Sequence, residues 1–227
     1  MTTELVIFDL DGTLLNTISD LASACNYALQ EMGFPTHPLQ DYNDMVGNGF
    51  RKLIERAAPP ESTTKTIEKL ITLSKGFYTN HSTDTTHPYP GIHELLKELT
   101  KRDIKIAVAS NKYQEAVDQV ITHYFPDIPF VSVQGQRKGR PIKPSPDIIE
   151  DILSMSQASK ENVIMVGDST VDIETAKRAK VTGIAVKWGF RPESELMEAF
   201  PDYIVSTPAE ILNLLSYPSP SGTMQEC

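Results

Sequence analysis

Leu5-Val6-Ile7-Phe8-Asp9-Leu10-Asp11-Gly12-Thr13-Leu14-Leu15 is the stretch on which the fold turns. Its four leading apolar residues show no alternation and stop abruptly at an acid. Such a run suits a strand covered on both faces, because alternation is expected only where one face meets water. The pattern recurs along the chain. Ile104-Lys105-Ile106-Ala107-Val108-Ala109 ends at Ser110-Asn111, and Val163-Ile164-Met165-Val166 ends at Gly167-Asp168-Ser169. Gly183-Ile184-Ala185-Val186 leads into Trp188-Gly189, while Phe130-Val131-Ser132-Val133 and Tyr203-Ile204-Val205 complete the set. Short apolar strands separated by amphipathic helical segments predict an α/β protein with a doubly wound parallel sheet.

Almost ninety residues part the first two runs, far more than one crossover helix needs. Within them Ile18, Leu21, Ala22, Cys25, Ala28, Leu29 and Met32 recur at helical spacing, and Gly33, Pro35 and Pro38 end that helix. Further helical patterns occupy about 38–46, 49–58 and 63–80. His87-Pro88-Tyr89-Pro90-Gly91 then punctuates the chain before a helix resumes at Ile92. The organisation expected is therefore a core of 1–15 and 86–215 interrupted by an all-helical insert, 16–85. The Ser/Pro-rich stretch 216–227 has no periodicity and reads as a disordered tail.

The 227 residues carry 21 Lys+Arg against 30 Asp+Glu, a formal net charge of −9. No counterion-releasing basic surface is evident, so neither nucleic acid nor an anionic membrane is an expected partner. Cys25 and Cys227 cannot form a disulfide framework, and Met1-Thr2-Thr3-Glu4 has no basic leader region, which together point to the cytoplasm. A monomer and a homodimer are equally compatible.

Ligands of open parallel sheets sit at the carboxyl ends of strands, where every polar punctuation noted above falls. Asp9, Asp11, Asp168 and Asp172 gathered at one edge would repel one another strongly without a cation, and hard oxygen ligands suit Mg²⁺. Lys143, in Pro141-Ile142-Lys143-Pro144-Ser145-Pro146, offers a point charge for a phosphate. The Ser110 hydroxyl and the amides of the following helix offer donors. Bland readings stand beside these. Ser110 and Asn111 could simply be a helix N-cap, Gly47 and Gly49 a turn, and Trp188 and Phe190 packing residues. Met155 and Met165 read as core, and the five histidines show no metal-ligand spacing.

Asp9-Leu10-Asp11-Gly12-Thr13-Leu14-Leu15, Ser110-Asn111-Lys112, Lys143-Pro144-Ser145-Pro146 and Gly167-Asp168-Ser169-Thr170-Val171-Asp172 resemble, in order, the four motifs of the haloacid dehalogenase superfamily in its phosphatase form. The insert, with Val46-Gly47-Asn48-Gly49, and the core stretch Val186-Lys187-Trp188-Gly189-Phe190 look most like its phosphoglycolate phosphatase branch. The resemblance implies a Rossmann-like core and a Mg²⁺-dependent hydrolase of a small phosphorylated metabolite such as 2-phosphoglycolate. Asp9 would be the nucleophile, forming an aspartyl-phosphate, and Asp11 the general acid and base, its pKa raised by acidic neighbours. Lys143, Ser110 and Asn111 would hold the phosphate. Asp9, the Asp11 backbone carbonyl and Asp168 would ligate the metal, with Asp172 orienting the shell behind them. The loop of Gly47, Asn48, Gly49 and Arg51 would close over the leaving group. A β-phosphoglucomutase-type phosphotransferase, a pyrophosphatase or nucleotidase, and a non-catalytic Mg²⁺-binding regulatory module are the rivals. One departure is Ala179-Lys180, where the family usually has Ala-Gly in a structural turn.

Overall fold

Leu5–Phe8 forms β1, the strand around which the computed structural model is built. The structure describes residues 3–216. After β1 come β2 (Leu15–Asn16) and four helices, α1 (Ile18–Glu31), α2 (Tyr42–Met45), α3 (Phe50–Ala57) and α4 (Thr64–His81). The chain returns through β3 (His87–Pro88), α5 (Ile92–Lys101), β4 (Lys105–Tyr113), α6 (Gln114–Tyr124) and β5 (Phe130–Gln136). It ends with α7 (Asp147–Ser156), β6 (Val163–Gly167), α8 (Thr170–Ala179), β7 (Thr182–Val186), α9 (Glu193–Glu198), β8 (Tyr203–Val205) and α10 (Pro208–Ser216). The six long strands pair in parallel in the order β5-β4-β1-β6-β7-β8.

Both faces of that sheet are covered, which is why its strands read as unbroken apolar runs. Val6 and Phe8 of β1 pack with Leu95 and Leu96 of α5, Val117 of α6 and Ile211 of α10. Leu5 and Ile7 point the other way, onto Ile149 and Ile152 of α7 and Ala176 of α8. All four β1 side chains are fully buried, each worth about 1.5–3 kcal/mol. From β1 the chain connects to β4 and then β5 on one side, and it crosses back through α7 to β6 on the other. That reversal opens a crevice at the carboxyl end of β1.

Helices α1 to α4 share an apolar cluster of their own, which also takes in Ala116, Tyr113 and Phe190 from the sheet side. A two-residue antiparallel pairing of β2 with β3 ties the exit and return of this insert together, and no periodicity announces it. Asp20, in the first turn of α1, reinforces the junction. Its carboxylate accepts from Thr85 N and Oγ1 (3.0 and 2.5 Å) and from Thr86 N and Oγ1 (2.9 and 2.7 Å). Burial pushes this carboxyl up, but those hydrogen bonds outweigh burial and hold it below its ordinary value.

Several expectations need correction. The helical pattern at 38–46 is a 3-10 turn over Leu39–Asp41 followed by the single turn α2. Strand β4 runs on through Tyr113, so Tyr113 and not Ser110 or Asn111 precedes α6, and no side chain caps that helix. Met165 is buried, whereas Met155 is 60% exposed. Ser216 ends α10, and 217–227 of the expected tail lies outside the described residues. No helix among the described residues is long and apolar enough to cross a membrane. Lys180 follows α8 in the left-handed conformation, φ 60° and ψ 45°, the backbone that a glycine would adopt without strain.

Asp20→Ala leaves the buried Thr86 donors without their acceptor and is expected to cost about 2–3 kcal/mol at neutral pH, read by urea denaturation. The folded carboxyl titrates below its unfolded value, so its contribution is present above the ordinary 3.8 and lost as pH falls through the lower folded value. The gap between wild type and variant should therefore narrow in acid. Lys180→Gly relieves the left-handed strain and should stabilise by about 1 kcal/mol, seen as a melting temperature raised by about 2–4 °C.

Candidate active site

Four segments reach the crevice. Asp9 leaves β1 with its amide on the Val166 carbonyl of β6 (2.9 Å). Asp168 follows β6, and Asp172 lies in the first turn of α8, where the helix dipole favours an acid. Lys143 arrives on the loop between β5 and α7, through a cis peptide bond to Pro144. Its ammonium donates to Asp9 Oδ1 at 2.7 Å and to Asp172 Oδ1 at 2.6 Å. A lone buried ammonium would cost several kcal/mol. These two charge-assisted bonds, worth about 1.5–3 kcal/mol each, make the burial tolerable. Burial alone would lower the Lys143 pKa, but Asp172 and Asp9 override it and keep the group protonated.

The carboxylates are less well served. Asp9, Asp168 and Asp172 are all buried, with one oxygen of each within 4.8 Å of the others. Burial pushes Asp9 up to about 7, opposed by Lys143 and reinforced by Asp172 and Asp11. Burial and the charges of Asp172 and Asp9 also hold Asp168 well above the usual carboxylate range. Three carboxylates against one ammonium leave two formal negative charges, which a single divalent cation would cancel. The hydrogen bonds show where it could sit. Asp172 has both oxygens engaged, Oδ1 by Lys143 and Oδ2 by the amide and hydroxyl of Ser169 (3.1 and 2.7 Å). Asp168 gives only Oδ2, to the Phe190 amide at 2.7 Å, and Asp9 gives only Oδ1. One oxygen each on Asp9 and Asp168 therefore remains for a cation, with Asp172 behind them.

Two glycines make room for Asp168. A Cβ at Gly12, whose φ is +89°, would stand 2.2 Å from Asp168 Oδ2. A Cβ at Gly189 would stand 2.2 Å from Asp168 Cβ. Trp188 beside it packs on the core and donates from Nε1 to the Thr13 carbonyl (3.0 Å).

Asp11 meets a base as well as its acidic neighbour Asp9. Lys112 donates to its two oxygens at 2.9 and 3.1 Å, and the same ammonium sits 4.6 Å from the ring centroid of Tyr78 on α4. Burial works against the charge of Lys112, but Asp11 outweighs it and raises its pKa. Ser110 Oγ accepts from the Lys112 amide at 3.2 Å, which leaves its O–H free to donate. Asn111 serves as a brace. Its Nδ2 donates to the carbonyls of Lys143 and Gly47, both at 3.0 Å, and its Oδ1 accepts the Lys143 amide at 2.8 Å.

The cavity over these groups measures about 50 Å³ and brings together Asp9, Asp11, Ser110, Asn111, Lys143, Asp168 and Asp172. Gly47 and Gly49 line it from the insert, as do the apolar Leu21, Val46, Phe50 and Leu53. Asn48 and Arg51 do not. Asn48 accepts from Arg56 at 2.7 Å, and Arg51 pairs with Glu68 and Glu55 at the surface. The inward stripe of α3 is Phe50, Leu53, Ile54 and Ala57, and Arg51 lies about 100° round the helix from Phe50. Lys112, Phe190 and Arg191 also line the cavity, Phe190 where a packing residue was expected. A basic residue just after the Gly189-Phe190 turn carries no local signal of its inward direction.

Comparison with known proteins agrees with this geometry. A phosphoglycolate phosphatase of Vibrio parahaemolyticus serotype O3:K6 is 30% identical over 219 residues, covering 94% of this chain and 96% of the relative. One from Vibrio cholerae serotype O1 is 32% identical over 212 residues, 88% and 92% respectively. A solved structure from Lactobacillus delbrueckii subsp. bulgaricus superposes with a TM-score of 0.89 at 30% identity, over 95% of this chain and 99% of the other. A family model for haloacid dehalogenase-like hydrolases matches residues 6–186, from within β1 to the last residue of β7. That span contains every strand end from which the acidic cluster hangs, and the chain belongs to the haloacid dehalogenase-like hydrolase family.

Proposed function

We propose that this protein is a Mg²⁺-dependent phosphomonoesterase acting on a small metabolite, 2-phosphoglycolate or a similarly short ester. The observation that carries the reading is the buried set of Asp9, Asp168 and Asp172 around Lys143, with free oxygens on Asp9 and Asp168. Hard oxygen donors in this number suit Mg²⁺, held by Asp9, Asp168 and the Asp11 carbonyl. Bound there, it would supply the positive charge that lets an anionic phosphate approach a carboxylate.

The chain's own groups account for the rest. Asp9 attacks phosphorus with the carboxylate oxygen not turned to the cation, which Lys143 holds in place, forming an aspartyl-phosphate as the ester P–O bond breaks. Asp11 gives its proton to the departing alkoxide. It then takes one from the water that attacks the phospho-enzyme, breaking the new P–O bond and returning Asp9 as carboxylate. Lys143 and the Ser110 hydroxyl hold phosphate oxygens, and Lys112 keeps Asp11 aimed. Helices α1 to α4 act as a cap hinged at β2 and β3, whose Gly47–Gly49 loop shuts out water during turnover and opens to release products. The relatives named phosphoglycolate phosphatase favour a two-carbon acid.

Steady-state phosphate release should require added Mg²⁺ and vanish with EDTA. Asp9→Asn should lose at least about 10³-fold in kcat while folding normally, since no other oxygen can form the intermediate. Metal-independent turnover, or an active Asp9→Asn, refutes the mechanism. Gly189→Ala drives a methyl into Asp168, and the Mg²⁺ concentration for half-maximal rate should rise about 10-fold or more, measured by metal titration at saturating substrate.

A further inference from the structure

Among the described residues three basic side chains line the cavity: Lys112, Lys143 and Arg191. Two of them are already matched by buried acids, Lys143 by Asp9 and Asp172 and Lys112 by Asp11. Arg191 is held differently. Its Nη1 donates to the Asn43 carbonyl and its Nη2 to the Val46 carbonyl at 2.9 Å. Carbonyls fix a guanidinium in place without cancelling its charge. The acids near it are Asp44 at 3.6 Å, with a side chain 90% exposed, and Glu195 at 3.3 Å, 36% exposed. Water screens pairs of that kind. The Arg191 side chain itself is only 11% exposed. Each terminal nitrogen carries two N–H groups, so one on each remains after the carbonyl bonds. Gly47 brings the cap loop against Nη2, where a Cβ would stand in contact at 3.7 Å.

We infer that Arg191 is the specificity-determining residue of the site, binding an anionic group on the substrate's leaving portion and selecting phosphate esters that carry a carboxylate close to the ester oxygen. This rests on the phosphatase reading above. The phosphate occupies the Asp9 and Lys143 end, so the leaving group must extend toward the cap loop and Phe190. The cap side chains lining that path, Leu21, Val46, Phe50 and Leu53, offer no donor to an anion. Arg191 does, from a planar fork that matches a carboxylate. Its two carbonyl bonds already fasten the 43–46 segment over the crevice, so the same residue ties closure to recognition. A neutral leaving group would bury that guanidinium without a counter-charge, which disfavours it.

The test compares 2-phosphoglycolate with ethyl phosphate, which keeps the reacting centre and lacks the carboxylate. Wild type should prefer 2-phosphoglycolate in kcat/KM by about 10-fold or more. Arg191→Gln should lower kcat/KM for 2-phosphoglycolate by about 30-fold or more and for ethyl phosphate by about 3-fold, the share owed to the lost cap bonds. Arg191→Lys should fall between wild type and Arg191→Gln on 2-phosphoglycolate. Equal losses on both esters would reduce Arg191 to a latch and overturn the inference, as would no loss on either. A wild type active on both esters without preference overturns the inference alone, whereas a wild type inactive on both overturns the phosphatase reading with it. Should the variants not fold, wild-type inhibition decides. At fixed saturating Mg²⁺, glycolate should inhibit ethyl phosphate hydrolysis at least about 10-fold more tightly than ethylene glycol, and equal inhibition overturns the assignment.

Discussion

The constraint on which the structure depends is the burial of three carboxylates with one ammonium among them. Asp9, Asp168 and Asp172 could each be replaced more cheaply by apolar residues if stability alone were at issue. Their presence forces the surroundings. Lys143 must be buried to its ammonium, the start of α8 must carry the Ser169–Asp172 capping box, and positions 12 and 189 must lack a side chain. Even so the charges do not balance. A site under that tension is poised for a cation and an anion together, because each offsets the penalty the other would meet alone.

That tension also explains how a chain of net charge −9 can serve an anionic substrate. The global field is of the wrong sign, but it is screened beyond about 8–10 Å at ordinary salt, and the cavity presents a different face. Lys112, Lys143 and Arg191 meet there at three distinct points. Two pair with Asp11, Asp9 and Asp172, and the third stands beside the Gly47 loop. Local charge placement decides binding, and net charge reports on other matters such as solubility and nonspecific partners.

The sheet and the motif residues were legible because parallel strands buried on both faces write themselves as short apolar runs, and their carboxyl ends are where polar residues must collect. Asp9, Asp168 and Lys143 stand at such ends or between them, so order and spacing sufficed to bring them together. Lys112, Phe190 and Arg191 were not legible in the same way. Lys112 continues a strand whose polar end looked like a turn, and its partner Asp11 is 101 residues away. Arg191 lies 145 residues from the Val46 carbonyl it holds. Contacts across such separations leave no periodic trace. The misplacement of Arg51 was avoidable, since the phase of Phe50, Leu53, Ile54 and Ala57 already turns it outward. Lys180 shows the converse. A departure from the usual glycine is tolerated with an unchanged left-handed backbone, so the turn is set by tertiary packing and the residue bears the strain.

Beside the apolar contacts with Ala116, Tyr113 and Phe190, helices α1 to α4 and the core meet through a short list of polar bonds whose chemistry bears on the proposed turnover. Asn111 holds the Gly47 carbonyl with the same amide that holds the carbonyl of Lys143, and Arg191 holds the carbonyls of Asn43 and Val46. Every one of these acceptors is backbone, so closure reads the conformation of the 43–47 segment rather than the identity of its side chains. The donors, by contrast, are residues that border the phosphate site or follow the amide bound to Asp168. Lys143 and Asp168 are thereby each linked to the cap segment through one intervening residue pair, Asn111 and Phe190-Arg191. Opening of the proposed cap would break these bonds, worth about 1.5–3 kcal/mol each for the Arg191 guanidinium and about 1 kcal/mol for the Asn111 amide, while Asp20 would keep the hinge itself fixed through Thr85 and Thr86. Bonds gathered on one carboxylate at the hinge and spread over backbone carbonyls at the mouth suit the proposed cap movement, in which α1 to α4 would turn as a unit.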